Sequence, residues 1–155
     1  MKTITCKIDN ITVKLVNVRE VYGHDDSLPF NAELCIHNPE WCNKLTFVGR
    51  AWNDGWGGDS VIDTTTKSQR ELVDKLDNYL KENYQNSFGK YKWNINLLYL
   101  VDCLANYALG GYKKIKITDF EGVVKKEVKK RKESSYDVYR TEIIEEEENY
   151  YTDGL

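Results

Sequence analysis

The residues best suited to chemistry lie in one short stretch, AWNDGWGGDS, at 51–60. Asn, Asp and Gly are common turn formers, because their side chains satisfy backbone amides or they permit positive φ. Clustered glycines also let a main chain approach a ligand, and an aromatic ring beside them can anchor a partner. The stretch therefore admits two interpretations, a tight turn after a strand or a binding loop. The binding loop would comprise Trp52, Asn53, Asp54, Gly55, Trp56, Gly57, Gly58 and Asp59.

The second candidate is the basic run KKEVKKRK, at 125–132. Basic side chains neutralise phosphates and release counterions, and the nearby Tyr136 and Tyr139 offer rings for stacking on bases. Competing interpretations are a solvated face, an edge strand blunted by lysines, and a contact with the acidic residues that follow. The alternative nucleic-acid site would comprise Lys125, Lys126, Lys129, Lys130, Arg131 and Lys132.

Metal-binding and phosphate-binding patterns are missing from the sequence. Asp54, Asp59 and Asp63 lie near glycines but do not follow the EF-hand spacing. No lysine follows the glycines, as it would in a phosphate-binding loop. The four cysteines form no C-x-x-C pair and are too widely spaced for a structural zinc site. The sequence therefore predicts no metal and no cofactor.

Nucleophilic catalysis lacks support for the same reason. The two histidines, His24 and His37, both lie in or next to turn-forming residues. A pairing of His24 with Cys35 or Cys42 is conceivable, but no motif places them together. We therefore expect a protein that is not an enzyme.

Composition indicates a globular chain. Of 155 residues, 41% are hydrophobic and 30% are charged, which is too apolar for a disordered protein. The longest apolar run, LLYLV at 97–101, is far shorter than the ~20 residues of a membrane helix. The first ten residues lack the apolar segment of a signal peptide. We therefore expect no membrane contact, a cytoplasmic location and reduced thiols at Cys6, Cys35, Cys42 and Cys103.

Alternating apolar residues predict four strands in the first third of the chain. Asp9-Asn10 between two such runs predicts a tight hairpin. In the fourth run we expect Leu45, Phe47, Gly49 and Ala51 to share one face. The simplest product is an antiparallel meander with one face covered. The runs lie at 4–8, 11–15, 32–36 and 44–52.

Two helices follow. Ser68 and Glu71 fit a capping box, and leucines then recur at helical spacing up to Leu80. A second helix is predicted at 93–109, with Gly110-Gly111 as its C-cap. Its apolar residues cover most of its circumference, so we expect it to be the most buried element.

The last part of the chain, from residue 113, combines short strand and turn patterns with a charged segment. Residues 113–118 predict a short strand with Ile115 and Ile117 inward, and 119–122 predict a turn. The charged segment up to 144 fits a β-hairpin or a helix, and 145–155 is expected to be an acidic flexible tail. The prediction is thus one α+β domain over 1–144, an antiparallel sheet of about four strands packed against two helices.

The NDG-x-GG segment resembles one found in small uncharacterised proteins of Bacteroides-type genomes, phages and mobile elements. There it follows a strand and precedes helices, and the glycines are usually followed by Cys-Asn. This chain has Asp59-Ser60 instead, so any role of that cysteine is lost. The resemblance carries no activity, but it implies an accessory protein that binds a host protein or complex, for instance as an inhibitor of a host defence system. A nucleic-acid-binding accessory protein is the alternative.

Overall fold

The computed structural model describes residues 2–21, 29–55 and 58–127. Four strands come first, β1 (Lys2–Ile8), β2 (Ile11–Glu20), β3 (Phe30–His37) and β4 (Thr46–Asn53). They are followed by β5 (Val61–Asp63), helix α1 (Lys67–Asn83), β6 (Tyr84–Phe88) and β7 (Tyr91–Asn94). Helix α2 (Leu97–Leu109), β8 (Lys114–Lys116), a 3-10 turn (Ile117–Asp119) and β9 (Val123–Lys125) complete the fold.

The strands form two sheets. The large sheet has the order β5-β4-β3-β2-β1-β8, and the small sheet has the order β7-β6-β9. The predicted α+β class and the antiparallel meander β1 to β4 are confirmed. The four-strand count is wrong, because β5 adds to one edge and β8 pairs with β1 in parallel at the other. That parallel pairing joins residues more than 100 positions apart, so no local sequence pattern predicts it.

One face of the large sheet is buried under the helices. The inward side chains of β1, β2 and β3 alternate with outward polar ones, as the period of two requires. Helix α2 packs on β1 and β2, and α1 packs on β4. The opposite face of the sheet carries lysine, threonine, histidine and glutamate and is open among the described residues.

A β-bulge changes the facing of β4. Leu34 pairs with Gly49, but the next residue, Cys35, pairs with Phe47, so Val48 is the extra residue. Val48 is therefore buried and Phe47 exposed, and the predicted shared face of Leu45 and Phe47 with Ala51 is wrong. Gly49 marks the position: a Cβ there would lie 2.1 Å from the Asp63 carbonyl oxygen of β5.

The helix boundaries differ from prediction at their N-termini. Helix α1 is capped by Thr66 with Gln69, which satisfies the same four-residue capping pattern two residues before Ser68. Helix α2 begins at Leu97 with Asn96 as N-cap, because 84–94 forms the hairpin β6–β7 instead. Gly111, at φ 97°, ends α2 as predicted, with the amide of Tyr112 donating to the carbonyl of Tyr107.

The predicted strand at 113–118 and turn at 119–122 are confirmed in outline, with Ile115 and Ile117 buried. The predicted charged hairpin or helix is described only up to 127, and the acidic tail at 145–155 lies outside the described residues. Within the described ranges, no helix is both long and apolar enough to cross a membrane.

One carboxylate joins the layers of the fold. Asp9, in the β1–β2 turn, accepts hydrogen bonds from the Tyr79 hydroxyl (2.5 Å), the Tyr84 hydroxyl (2.9 Å) and the Lys125 Nζ (3.0 Å). These donors lie on α1, β6 and β9. Burial raises the pKa of Asp9, but the hydrogen bonds from Tyr79, Lys125 and Tyr84 together outweigh it and lower the pKa. Burial and the bond to Asp9 raise the pKa of Tyr79 to about 12, so it remains a donor.

Replacing the Asp9 carboxylate should change how the free energy of unfolding depends on pH under acidic conditions. A lowered pKa contributes stability above the ordinary aspartate pKa, and this is lost as pH falls through the folded-state value. Asp9→Asn tolerates the positive φ of the turn and loses the charge. We expect the free energy of unfolding to fall by about 1–2 kcal/mol near pH 7 and the difference to shrink towards pH 3. Urea denaturation at several pH values measures it.

Asp74→Asn, on the exposed surface of α1, is the matched control and should change stability by less than about 0.5 kcal/mol at every pH. An Asp9→Asn deficit that is as large at pH 3 as at pH 7 would contradict the role of the charge.

Candidate functional site

The predicted loop is organised by a buried asparagine. Asn53 ends β4 and is only 7% exposed. Its Oδ1 accepts the amide of Gly55 (2.8 Å), and its Nδ2 donates to the Gly58 carbonyl and to the Ser60 Oγ, both at 3.2 Å. This is the turn chemistry that asparagine provides when its side chain bonds the backbone two residues on. Both polar atoms of the Asn53 side chain therefore form hydrogen bonds within the protein.

Ser60 ties this loop to helix α2. Its hydroxyl donates a hydrogen bond to the Asp102 carboxylate, while Ser60 itself is buried. Burial raises the pKa of Asp102, the Ser60 bond lowers it, and Asp59 raises it further, with a net upward shift. The hydrogen-bonded series from Asn53 through Ser60 to Asp102 contains no imidazole, so it lacks the base that activates serine in a Ser–His arrangement.

The other residues of the predicted binding loop differ in how exposed they are. Trp52 is half-buried, and its Nε1 donates to Asp63 Oδ2 of β5 at 2.7 Å. Gly55 is buried, whereas Asp54, Gly58 and Asp59 are exposed. Trp56 and Gly57 lie outside the described residues. The turn interpretation accounts for Asn53 and Gly55, and a binding role for the exposed residues stays a prediction.

The predicted basic segment is described only at its start. Lys125 Nζ bonds Asp9, and Lys126 Nζ donates to the Lys81 carbonyl at 2.8 Å, so both lysines hold β9 against the rest of the fold. The remaining four residues of that prediction, Lys129, Lys130, Arg131 and Lys132, lie outside the described ranges. The alternative nucleic-acid site therefore stays a prediction.

A cleft of about 810 Å³ opens between the small sheet and helix α2. Across the sheet, Asn86 pairs with Trp93 and with Val123, and Phe88 pairs with Tyr91. These residues share the inward face of the sheet. Asn86 and Val123 are buried there, but Phe88 is 73% and Trp93 is 48% exposed. The aromatic end of the hairpin therefore extends beyond the core of the described residues, and its rings are exposed. Large aromatic side chains exposed together mark a binding surface.

The helical side of the cleft is also aromatic. Tyr107 stacks on Phe120 with ring centroids 5.4 Å apart, and meets Tyr112 edge-to-face at 5.1 Å. Nearer the sheet, the Tyr99 hydroxyl accepts a hydrogen bond of 2.8 Å from Asn86 Nδ2. The residues that line the cleft come from four parts of the chain: Asn86, Ser87, Phe88, Gly89, Trp93, Tyr99, Cys103, Asn106, Tyr107, Tyr112, Phe120, Glu121 and Gly122.

The lining is nearly uncharged. Burial, followed by the neighbouring Cys103, raises the pKa of Tyr99 to about 12. Burial likewise raises the pKa of the Cys103 thiol, although the Tyr99 bond opposes it. Both groups are therefore neutral near pH 7, and Glu121 is the one carboxylate among the lining residues. Such a surface suits an apolar or aromatic group accompanied by a few hydrogen bonds, and it does not suit phosphate.

The thiols of Cys6 and Cys35 are shifted away from the reactive thiolate form. Burial raises the pKa of Cys6 to about 12, and burial followed by Glu33 raises the pKa of Cys35. Cys42 Sγ donates to the carbonyls of Ile36 and Asn38. A reactive cysteine needs the opposite shift, towards the thiolate. His24 is outside the described residues. Among those described, no three His, Cys, Asp or Glu side chains gather as a metal site would require.

Sequence reasoning missed the cleft because its aromatic hairpin fell between the two predicted helices, and Trp93 was assigned to the start of the second one. The usable signal was YQNSFGKYKWN at 84–94, in which aromatics alternate on both sides of Gly89-Lys90. No protein-family model, no curated protein and no solved structure matches the chain. The fold and the cleft together define an α+β protein with an accessible aromatic cleft.

The role of Asn53 can be tested directly. Asn53→Ala leaves the Gly55 amide and Ser60 hydroxyl without their partner, so we expect the free energy of unfolding to fall by about 2 kcal/mol. Asp59→Ala, exposed in the same loop, is the control and should cost less than about 0.5 kcal/mol. Chemical denaturation measures both. Equal stabilities of Asn53→Ala and the parent protein would show that the turn bonds contribute nothing.

Proposed function

We propose that this chain is a non-enzymatic binding protein that holds an extended segment of a partner protein in the aromatic cleft. The observation that carries the proposal is the exposure of Phe88 and Trp93 on the inward side of the small sheet. On the same face Tyr84, Asn86 and Val123 are buried, whereas Phe88, Tyr91 and Trp93 are exposed. Within the described residues no layer covers these rings, and a partner side chain is their natural complement.

The edge strand of the small sheet favours a partner segment in an extended conformation. Strand β7 pairs with β6 on one side, and no described strand pairs with its other side. An extended peptide can add to such an edge through main-chain hydrogen bonds while alternate side chains enter neighbouring pockets. The neutral lining, with Tyr99 and Asn106 beside the aromatic rings, favours a peptide with one aromatic or large aliphatic anchor.

Several contacts support binding over catalysis. The thiols of Cys6, Cys35 and Cys103 all have raised pKa values, and the Ser60 hydroxyl bonds a carboxylate without an intervening base. In the cleft, Tyr99 is held neutral. These groups give the cleft polarity for recognition without an activated nucleophile.

The resemblance to proteins of phages and mobile elements makes a host protein or complex the expected partner. Inhibition of a host defence system is one concrete form of that role. The four cysteines are all free, which fits a reducing compartment, and we place the protein in the cytoplasm. The loop at 52–59 is the second candidate contact surface, through its exposed residues.

The cleft predicts a specific binding defect. Random peptides displayed on phage and selected on the protein should share one aromatic or branched aliphatic anchor. Phe88→Ala combined with Trp93→Ala should raise the Kd of such peptides at least ~30-fold, because hot-spot aromatics contribute about 2 kcal/mol or more. Fluorescence anisotropy measures the Kd. Phe88 is 73% exposed but Trp93 only 48%, so thermal unfolding of the double variant is recorded alongside to show that it remains folded.

Phe47→Ala is the matched control, because Phe47 is a similarly exposed aromatic on the far face of the large sheet. It should leave peptide affinity unchanged. If peptides bind the double variant as tightly as the parent protein and lose affinity on Trp52→Ala, the recognition surface is the 52–59 loop and the cleft proposal is wrong.

A further inference from the structure

The open face of the large sheet carries a lysine cluster that the cleft does not use. Strand register places Lys114, Thr5, Lys14, Cys35 and Phe47 in one row across five strands. The adjacent row contains Lys116, Lys7, Thr12 and His37. Side chains opposite one another across a sheet share a face, so four lysines and one phenylalanine form a single surface.

None of these lysines forms an ion pair with an acidic residue of the described ranges. Among the described residues, the ion pairs are Lys81–Asp77 and Lys125–Asp9, and neither involves the sheet face. Lys7 Nζ donates to the neutral Thr12 hydroxyl at 2.7 Å and to no carboxylate of the described residues. Glu33 lies on the same face and accepts from Asn17, and Asp119 accepts the Lys116 amide. The cluster therefore keeps a net positive charge in a protein whose formal net charge is −3.

Protection of a sheet edge explains only part of this arrangement. Lysines on an edge strand prevent sheets from joining, and β8 is such an edge. Lys14 lies on β2, two strands further in, where no edge needs protection. Phe47 is 45% exposed at the other end of the row and does not belong to the core of described residues.

We propose that this face binds single-stranded nucleic acid, with Lys7, Lys14, Lys114 and Lys116 contacting phosphates and Phe47 stacking on a base. Charge complementarity selects a polyanion, and the exposed ring selects one with accessible bases. A five-strand row spans roughly 19 Å at the usual strand spacing, enough for several nucleotides. A six-stranded sheet face is too wide to enter the grooves of a duplex as a helix or two-stranded ribbon does. This site lies on the opposite side of the sheet from the helices and is independent of the cleft.

The test uses the full chain and a fluorescein-labelled 12-nucleotide oligo-dT, with anisotropy measured between 50 and 200 mM salt. Four phosphate contacts on a single strand predict a slope of log K against log salt of about −2.8, or ~50-fold weaker binding across that range. Lys14→Gln with Lys114→Gln and Lys116→Gln should reduce the slope to about −0.7. Phe47→Ala should weaken binding by about 5- to 100-fold and leave the slope unchanged.

Matched controls separate this face from charge in general. Lys67→Gln with Lys75→Gln and Lys90→Gln removes the same charge from exposed positions elsewhere and should leave affinity within about twofold. Three results would overturn the proposal: equal losses in the two lysine triples, tighter binding of a duplex of the same length, or loss of binding only when Lys129, Lys130 and Arg131 are replaced by alanine.

Discussion

The burial of helix α2 is the constraint on which both the fold and the cleft depend. One side of this helix packs on β1 and β2, through Leu100, Leu104 and other buried residues. The side that carries Tyr99, Cys103 and Tyr107 is covered by the small sheet only as far as Asn86. Beyond that point no described part of the chain lies beneath the hairpin. The cleft is thus the unfilled end of the same packing that stabilises the core.

Because side chains alternate along each strand, the two faces of the large sheet carry different types of residue. Residues facing the helices are aliphatic, and the opposite face presents lysine, threonine and histidine. The neutral aromatic cleft lies on the helical side, so the lysines do not alter its preference for uncharged groups. Polar contacts between layers are few and specific: Asp9 collects donors from three elements, and Ser60 joins the loop after β4 to α2.

Sequence patterns predicted the parts of this fold that obey a local period. The β1–β2 hairpin, the meander to β4 and the body of both helices follow from alternation, capping and helical spacing. The hairpin at 84–94 did not, because Asn86 is a buried polar residue and the aromatics Phe88 and Trp93 are exposed, which reverses the usual contrast. The bulge at Val48 and the parallel pairing of β1 with β8 depend on tertiary contacts. The cleft escaped prediction because its lining comes from distant segments, whereas the NDG turn is local and was recognised.

The most direct test of the central claim is hydrogen–deuterium exchange on the protein with a partner captured from a Bacteroides-type lysate in the presence of nuclease. If the cleft is the recognition surface, amides of β7 and its neighbours within 84–94 exchange more slowly in the complex, because an added strand bonds the open edge. The C-terminal end of α2 and the turn at 110–112 should also be protected. Protection confined to 51–60, with exchange in 84–94 unchanged, would contradict the account and assign recognition to the loop.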